Sequence, residues 1–277
     1  MSAVTGRHLG VAAPIIAGVI AAAFPAVARA TDPFEIQVYD GTANKPGVFA
    51  LELHANSVIR GLRDSTLSAP PPEAPQDRQT HFTFEPQIGV TDFWEVGGYF
   101  QTAILPDSTF YYAGIKLRSK FVSPPSLSKE LRFGVNFELS LLPEKFDRDK
   151  WGSEIRPMFA WETRSFQLAV NPIIDTSLAG QDRHEGPTFQ PAAEALVKWE
   201  DRASIGVEYY ANIGPFKKPL PLREEEQYVF EVANVLALPR WELNLGVGQG
   251  LTDGSNTFIA KTIIGYAWEK PAPRPHP

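Results

Sequence analysis

Histidines are the first residues to consider for catalysis or metal binding, because their ring ionises close to neutral pH. The chain has five. His8 and His276 lie near the chain ends, and His184 lies in a stretch rich in charge. His54 and His81 lie on the polar side of alternating segments, away from any apolar face where the Ser–His pair of a lipid hydrolase would lie. We therefore predict no catalytic residue and no enzymatic activity.

Glu52 and His54 are two residues apart, so they share one side of an extended segment. Two ligand types on one strand fall short of the set that a metal site needs. The stretch "LTDGSN" (251–256) carries oxygen donors without the spacing of a calcium loop, and its composition is typical of a hairpin turn. We predict neither a metal site nor a cofactor.

Composition excludes several classes of function. The chain has no cysteine, so it has no disulfide scaffold and no thiol chemistry. Residues 1–30 contain two of the 26 basic residues and no acidic one, which leaves 24 basic against 32 acidic residues in the remainder. An acidic chain is a poor partner for nucleic acid, and we predict no such partner.

Charged side chains at alternating positions are the main candidates for a functional surface. They would share one polar face, the predicted barrel interior: the basic set is Lys116, Arg118, Lys120, Arg132, Arg156, Lys198 and Lys261, and the acidic set is Glu52, Glu85, Glu95, Glu138, Glu194, Glu208, Glu231 and Glu242. A basic wall opposite an acidic arc would create a field across a pore and filter ions. Alternatively, these charges pair across neighbouring strands and fill a narrow barrel, and Arg132 with Glu138 or Glu154 with Arg156 would form such close pairs.

The elements that position these charges are strands. Phe133, Val135 and Phe137 share one side of an alternating run, whereas Arg132 and Glu138 share the other. Runs of this kind predict twelve strands, at 47–59, 80–90, 93–104, 109–122, 130–142, 153–162, 166–177, 187–199, 204–213, 226–238, 241–250 and 256–268. Their length suits a tilted crossing of a hydrocarbon layer.

The distribution of connections and tryptophans decides which face points inward. Tight joints and longer loops rich in proline, glycine and charge largely alternate along the chain, as they do in outer-membrane barrels. Five tryptophans fall on the apolar face at the tight-joint end of their strands, where a membrane interface would select them: Trp94, Trp161, Trp199, Trp241 and Trp268. The prediction is an all-β fold, a single up-and-down antiparallel transmembrane β-barrel of about twelve strands.

Two irregularities accompany the pattern. Pro86, Pro157, Pro172 and Pro191 fall inside predicted strands, where each removes one hydrogen-bond donor, so bulges or strand ends are expected near them. The alternation of the tenth run also slips near Ala233, which suggests a bulge there.

The chain ends differ from the barrel region, residues 47–268. Residues 1–30 have an apolar run and an A-x-A pattern before Thr31, which is typical of a cleaved secretory signal peptide. Residues 31–46 alternate at Phe34, Ile36 and Val38, so we expect this N-terminal periplasmic segment to pair at the barrel rim or to plug the lumen. Residues 269–277 form a predicted periplasmic tail.

Several stretches resemble a known family: "PFEIQVYDG", "PGVFALELHAN", "THFTFEPQIGVTDFWEVGGYFQTA" and "YYAGIKLRSKFV". They are similar to Gram-negative outer-membrane barrels named for the meta-pathway of phenol degradation and described as transporter-like. The resemblance covers most of residues 33–268. It implies an outer-membrane location and transport of small molecules, including hydrophobic or aromatic ones, but it supplies no functional residues.

The sequence therefore predicts a passive pore or uptake channel in the cell outer membrane. Its expected partners are outer-membrane lipid and lipopolysaccharide, with a small-molecule solute that the sequence does not identify. The alternative is a closed structural or interaction barrel whose outer loops bind a surface partner. An outer-membrane hydrolase and a soluble secreted β protein are the remaining hypotheses.

Overall fold

The structure is a computed structural model, and it describes residues 32–63, 73–200 and 202–268. The predicted signal peptide (1–30) and C-terminal tail (269–277) lie outside the described residues. The strands are β1 (Phe49–Arg60), β2 (Thr80–Thr91), β3 (Trp94–Ile104), β4 (Phe110–Val122), β5 (Leu131–Leu141), β6 (Trp151–Glu162), β7 (Phe166–Ala179), β8 (Thr188–Trp199), β9 (Ala203–Asn212), β10 (Gly214–Pro215), β11 (Glu226–Val235), β12 (Trp241–Gly250) and β13 (Phe258–Trp268). No helix in these ranges is long and apolar enough to cross a membrane.

The strands form one closed antiparallel sheet. Each long strand pairs with its neighbour in the chain, and β1 pairs with β13 from Phe49↔Trp268 to Arg60↔Phe258. The two-residue β10 continues the pairing of β9 with β8 beyond a break at Ile213, so the barrel has twelve strands. The predicted fold class is confirmed. Closure leaves no sheet edge with unpaired backbone groups, as a hydrocarbon layer requires.

The barrel is apolar outside and polar inside. On its outer face, Phe100, Leu117 and Phe159 are 48%, 64% and 49% exposed. Their neighbours in the chain turn inward, and Gln101 and Arg118 are 0% and 4% exposed. This arrangement inverts that of a soluble protein, in which such side chains would exchange places.

The five tryptophans lie on the face and at the strand end that the sequence pattern predicts. Trp161, Trp199, Trp241 and Trp268 are exposed on the outer face, at the end where β2–β3, β6–β7, β8–β9 and β11–β12 are joined. We call this end the tight-turn end and the opposite one the long-loop end. Trp94 lies at the same level, where its Nε1 donates to Ser119 Oγ at 2.9 Å.

The four prolines lie inside strands β2, β6, β7 and β8, at points where the ladder is interrupted on one side. The β6–β7 ladder passes from Ile155↔Ile174 to Phe159↔Val170, and the three intervening pairs are missing, with Pro157 and Pro172 at the middle position. The β2–β3 ladder likewise omits Pro86. Register shifts occur elsewhere, so the expected bulges at the prolines are absent from the described ladders.

Strand β11 corrects one expectation about the interior. Tyr228, Phe230 and Val232 point inward and are almost fully buried, and β11 pairs with both neighbours through Asn234 without a register shift. The expected bulge near Ala233 is therefore absent. Glu231 consequently faces outward, contrary to its predicted place in the lumen, opposite Val207 and Val247. The rings of Tyr228 and Phe230 fill the interior here, and their packing decides which side chains of β11 point inward.

Replacing Glu231 by valine should stabilise the barrel in a bilayer, since an outward carboxylate in an apolar belt is unfavourable. We expect Glu231→Val to raise the free energy of unfolding by about 1 kcal/mol, measured by urea unfolding in lipid vesicles. Glu224→Val, in the exposed 216–225 loop, is the matched control and should change it little. A decrease for Glu231→Val would contradict the outward orientation.

Candidate functional site

The N-terminal segment, residues 32–46, lies inside the barrel, and we call it the strap. Asn56 Nδ2 donates to Pro33 O at 2.9 Å, toward the long-loop end of β1. At the opposite end, Pro46 forms an isolated bridge with Gly89 next to the β2–β3 turn. The strap therefore runs along the lumen toward the tight-turn end before it enters β1. Its apolar side chains, among them Ile36 and Val38, are buried within the barrel.

Hydrogen bonds attach the strap to several strands. Asn171 of β7 binds both backbone groups of Tyr39: its Oδ1 accepts from the amide at 2.7 Å, and its Nδ2 donates to the carbonyl at 2.9 Å. Thr83 Oγ1 donates to Phe34 O at 2.8 Å. The backbone groups of Tyr39 have no partner on a neighbouring strand, so the Asn171 side chain supplies the hydrogen bonds that buried backbone groups require.

Ion pairs attach the strap to the basic wall of the barrel. Three basic side chains of β4, β5 and β6 each meet a strap carboxylate: Lys116 meets Asp32 at 2.5 Å, Arg132 meets Asp40 at 3.0 Å, and Arg156 meets Glu35 at 3.1 Å. The strap thus adds its negative charge to that of Glu138, Glu154 and Glu162, which pair with the same basic side chains from β5 and β6.

Glycine at position 89 allows the strap to pass close to the wall. A Cβ at this position would lie 2.2 Å from the carbonyl oxygen of Asn44 and 2.3 Å from that of Lys45. Real carbon atoms do not approach backbone oxygens so closely, so any other residue would push the strap away from β2.

Acidic side chains face each other across the sheet at three points. Glu52 lies opposite Glu85, Glu138 opposite Glu154, and Glu194 opposite Glu208. Like charges in register destabilise a sheet unless a cation lies between or beside them. Arg118 pairs with Glu85 at 2.7 Å and with Glu95 at 2.8 Å, and Lys261 pairs with Glu208.

All seven predicted basic residues point into the barrel. Lys116, Arg118, Arg156 and Lys261 are buried, and Lys120, Arg132 and Lys198 are partly exposed to the lumen. Of the acidic set, Glu52, Glu85, Glu95, Glu138, Glu194, Glu208 and Glu242 also point inward, whereas Glu231 does not. The interior is closer to the paired, filled alternative than to an open pore with opposed walls.

Of the two close pairs that the sequence offered, Glu154 and Arg156 are paired, at 2.7 Å, whereas Arg132 pairs with Glu162 and Asp40 and not with Glu138. Sequence reasoning missed Glu162, which pairs with both Arg132 and Lys198. Glu162 shares the phase of Arg156 on β6, which could have placed it inside. The strap carboxylates carry no comparable signal, because the alternation of residues 31–46 does not say what the segment pairs with.

A cavity of about 420 Å³ remains in the tight-turn half of the lumen. Seven acidic side chains line it: Asp40, Glu52, Glu85, Glu162, Glu194, Glu208 and Glu242. Four basic ones do so: Arg118, Lys120, Arg132 and Lys198. The excess of carboxylates makes the cavity attractive to cations. The long-loop half is filled instead, with Phe34 packed against Ala103, Ala113 and Phe146.

Comparison with known proteins identifies the class of fold. No protein-family model and no curated protein sequence matches the chain. Among solved structures, it is similar to the COG4313 outer membrane channel from Pseudomonas putida F1, with a TM-score of 0.57 and 10% identity over 84% of this chain and 100% of that one. It is also similar to the KdgM porin (TM-score 0.52, 8% identity, 79% and 99% covered) and the NanC porin (0.51, 8%, 80% and 100%). At such low identity the likeness establishes the fold alone, that of outer-membrane barrels, and the phenol-degradation family stays a prediction.

Arg118 should matter more for stability than its neighbour Lys120. Removing Arg118 takes a positive charge away from the buried carboxylates of Glu85 and Glu95. We therefore expect Arg118→Met to lower the free energy of unfolding by about 3 kcal/mol. Lys120→Met is the matched control on the same strand and face, since Lys120 also pairs with Glu95, at 2.7 Å, but is more exposed. Urea unfolding in vesicles should show a clearly smaller loss for Lys120→Met. Equal losses would contradict a central role for Arg118.

Proposed function

We propose that this protein is an outer-membrane channel whose lumen is closed by its own N-terminal strap. The supporting observation is the inverted barrel, in which an apolar outer belt surrounds a charged cavity. A closed sheet with such a belt is stable only where hydrocarbon covers the outside. In this proposal, residues 1–30 direct export, and lipid and lipopolysaccharide surround the barrel.

The cavity favours small polar or cationic solutes. Carboxylates outnumber basic groups in its lining, and apolar side chains such as Leu196 and Ile263 form a minor part of it. Hydrophobic or aromatic solutes, which the family resemblance implies, would find few apolar surfaces on this path. The aromatic rings Tyr210 and Phe230 are buried against each other with centroids 5.6 Å apart, and they contribute to the filled region.

A closed structural barrel is the second candidate, and the filled long-loop half favours it. The strap joins the hydrophobic cluster of the interior through Ile36 and Val38. Conduction therefore requires the strap to shift, whereas a structural barrel would keep it in place. The two candidates differ in what happens when the strap is loosened or removed.

Deleting residues 32–46 should open the channel. In planar lipid bilayers, we expect purified wild-type protein to give small or infrequent current steps and the deletion variant to give larger, sustained ones. Arg156→Met, which removes the contact with Glu35 while keeping the strap, should raise the frequency of open events. Arg202→Met is the control: it removes an exposed ion pair with Glu200 and should behave as wild type. If neither the deletion nor Arg156→Met conducts although both proteins are folded, the channel proposal fails.

The excess of carboxylates also predicts ion selectivity. The reversal potential of the deletion variant in a salt gradient should indicate preference for cations over anions. Adding Glu194→Lys reverses one charge in the cavity lining and should reduce that preference. Glu224→Lys in the outer loop carries the same charge change away from the cavity and is the control. Anion preference in the deletion variant itself would contradict the prediction.

A further inference from the structure

One group of interior side chains has the composition and spacing of a metal site. The Oε2 atoms of Glu52 and Glu85 lie 3.7 Å and 3.1 Å from His54 Nε2. One ligand atom from each of the three residues lies within 4.8 Å of the others. A tetrahedral Zn²⁺ ion with bonds of about 2.1 Å holds its ligand atoms about 3.4 Å apart, between these two distances.

Both carboxylates are oriented by donors that leave one oxygen free. Gln87 Nε2 donates to Glu52 Oε1, and Arg118 Nε donates to Glu85 Oε1 at 2.7 Å. In each case the second oxygen, Oε2, points to His54 Nε2. Outer partners that orient ligand carboxylates in this way are characteristic of protein metal sites.

Glu242 supplies a further carboxylate beside the cluster. The register runs from Glu52 through Gly265 to Glu242 on three adjacent strands. A Cβ at position 265 would lie 2.9 Å from Glu52 Cγ and 3.1 Å from Glu242 Cβ, so glycine lets the two glutamates approach each other. Glu242 faces the cavity and has no hydrogen bond or ion pair with another described residue.

We propose that Glu52, His54, Glu85 and Glu242 bind one divalent metal ion, with Zn²⁺ the best match to one nitrogen and three oxygen ligands. The ion enters through the cavity, which Glu52, Glu85 and Glu242 line. It takes the place of the proton in the hydrogen bond between His54 Nε2 and Glu85 Oε2, and it neutralises the like charges that Glu52 and Glu242 bring together. This inference does not depend on conduction.

The competing explanation is an imidazolium ion held between two glutamates without metal. Calorimetric titration of Zn²⁺ into purified, tag-free, chelator-treated protein in detergent separates the two. We expect one Zn²⁺ per wild-type chain. His54→Gln and Glu242→Gln should each weaken binding by at least about tenfold, since even the loss of an outer-shell partner weakens metal binding by about that factor. Glu242→Gln removes no described hydrogen bond, so it should fold even if His54→Gln does not.

His81→Gln is the matched control, because His81 is the other buried histidine among the described residues and forms a hydrogen bond with Gln79 at 3.0 Å, outside the cluster. It should bind Zn²⁺ as wild type does. Co²⁺ substitution supplies a second readout, since a tetrahedral nitrogen–oxygen site gives a visible absorption band that Glu242→Gln should alter. The proposal is overturned if wild type takes up no Zn²⁺, or if Glu242→Gln and His54→Gln bind it as tightly as wild type does.

Discussion

The whole structure depends on the ladder that joins β1 to β13 and closes the sheet. Once Phe49 pairs with Trp268, every strand has two neighbours and no backbone edge faces the outside. Only then can an apolar belt meet hydrocarbon without unsatisfied amides. Closure also forces all inward side chains into one narrow space, so the properties of the interior follow from how that space is filled.

The interior is filled mainly by charge, and the strap is what makes this arrangement possible. Lys116, Arg132 and Arg156 of β4 to β6 each pair with a glutamate of β5 or β6 and also with a strap carboxylate, which is Asp32, Asp40 or Glu35 respectively. A buried charge without a partner is far more costly than a paired one. Removal of the strap would therefore change both the width of the lumen and its electrostatic balance, which is why one segment can link stability and conduction.

Some interior carboxylates have lysine or arginine partners and others do not, and we expect function where these partners are missing. Arg118 pairs with both Glu85 and Glu95, and Lys261 pairs with Glu208. By contrast, Glu52 and Glu242 converge over Gly265, and neither forms an ion pair with a lysine or arginine of the described residues; the basic group near Glu52 is His54. Both carboxylates face the remaining cavity, so an entering cation would meet them.

Alternation of side chains determined the barrel, its strand number and the direction of every charge in the two predicted sets except Glu231, because the period of two depends only on local backbone geometry. It failed at Glu231, where Tyr228 and Phe230 turn inward because the lumen has room for their rings, a property of the closed barrel and not of the strand. The sequence likewise left residues 31–46 between rim and plug. Only the tertiary structure decided the path of the strap and brought Glu242 beside Glu52, since these residues come from distant parts of the chain and meet only when the sheet closes.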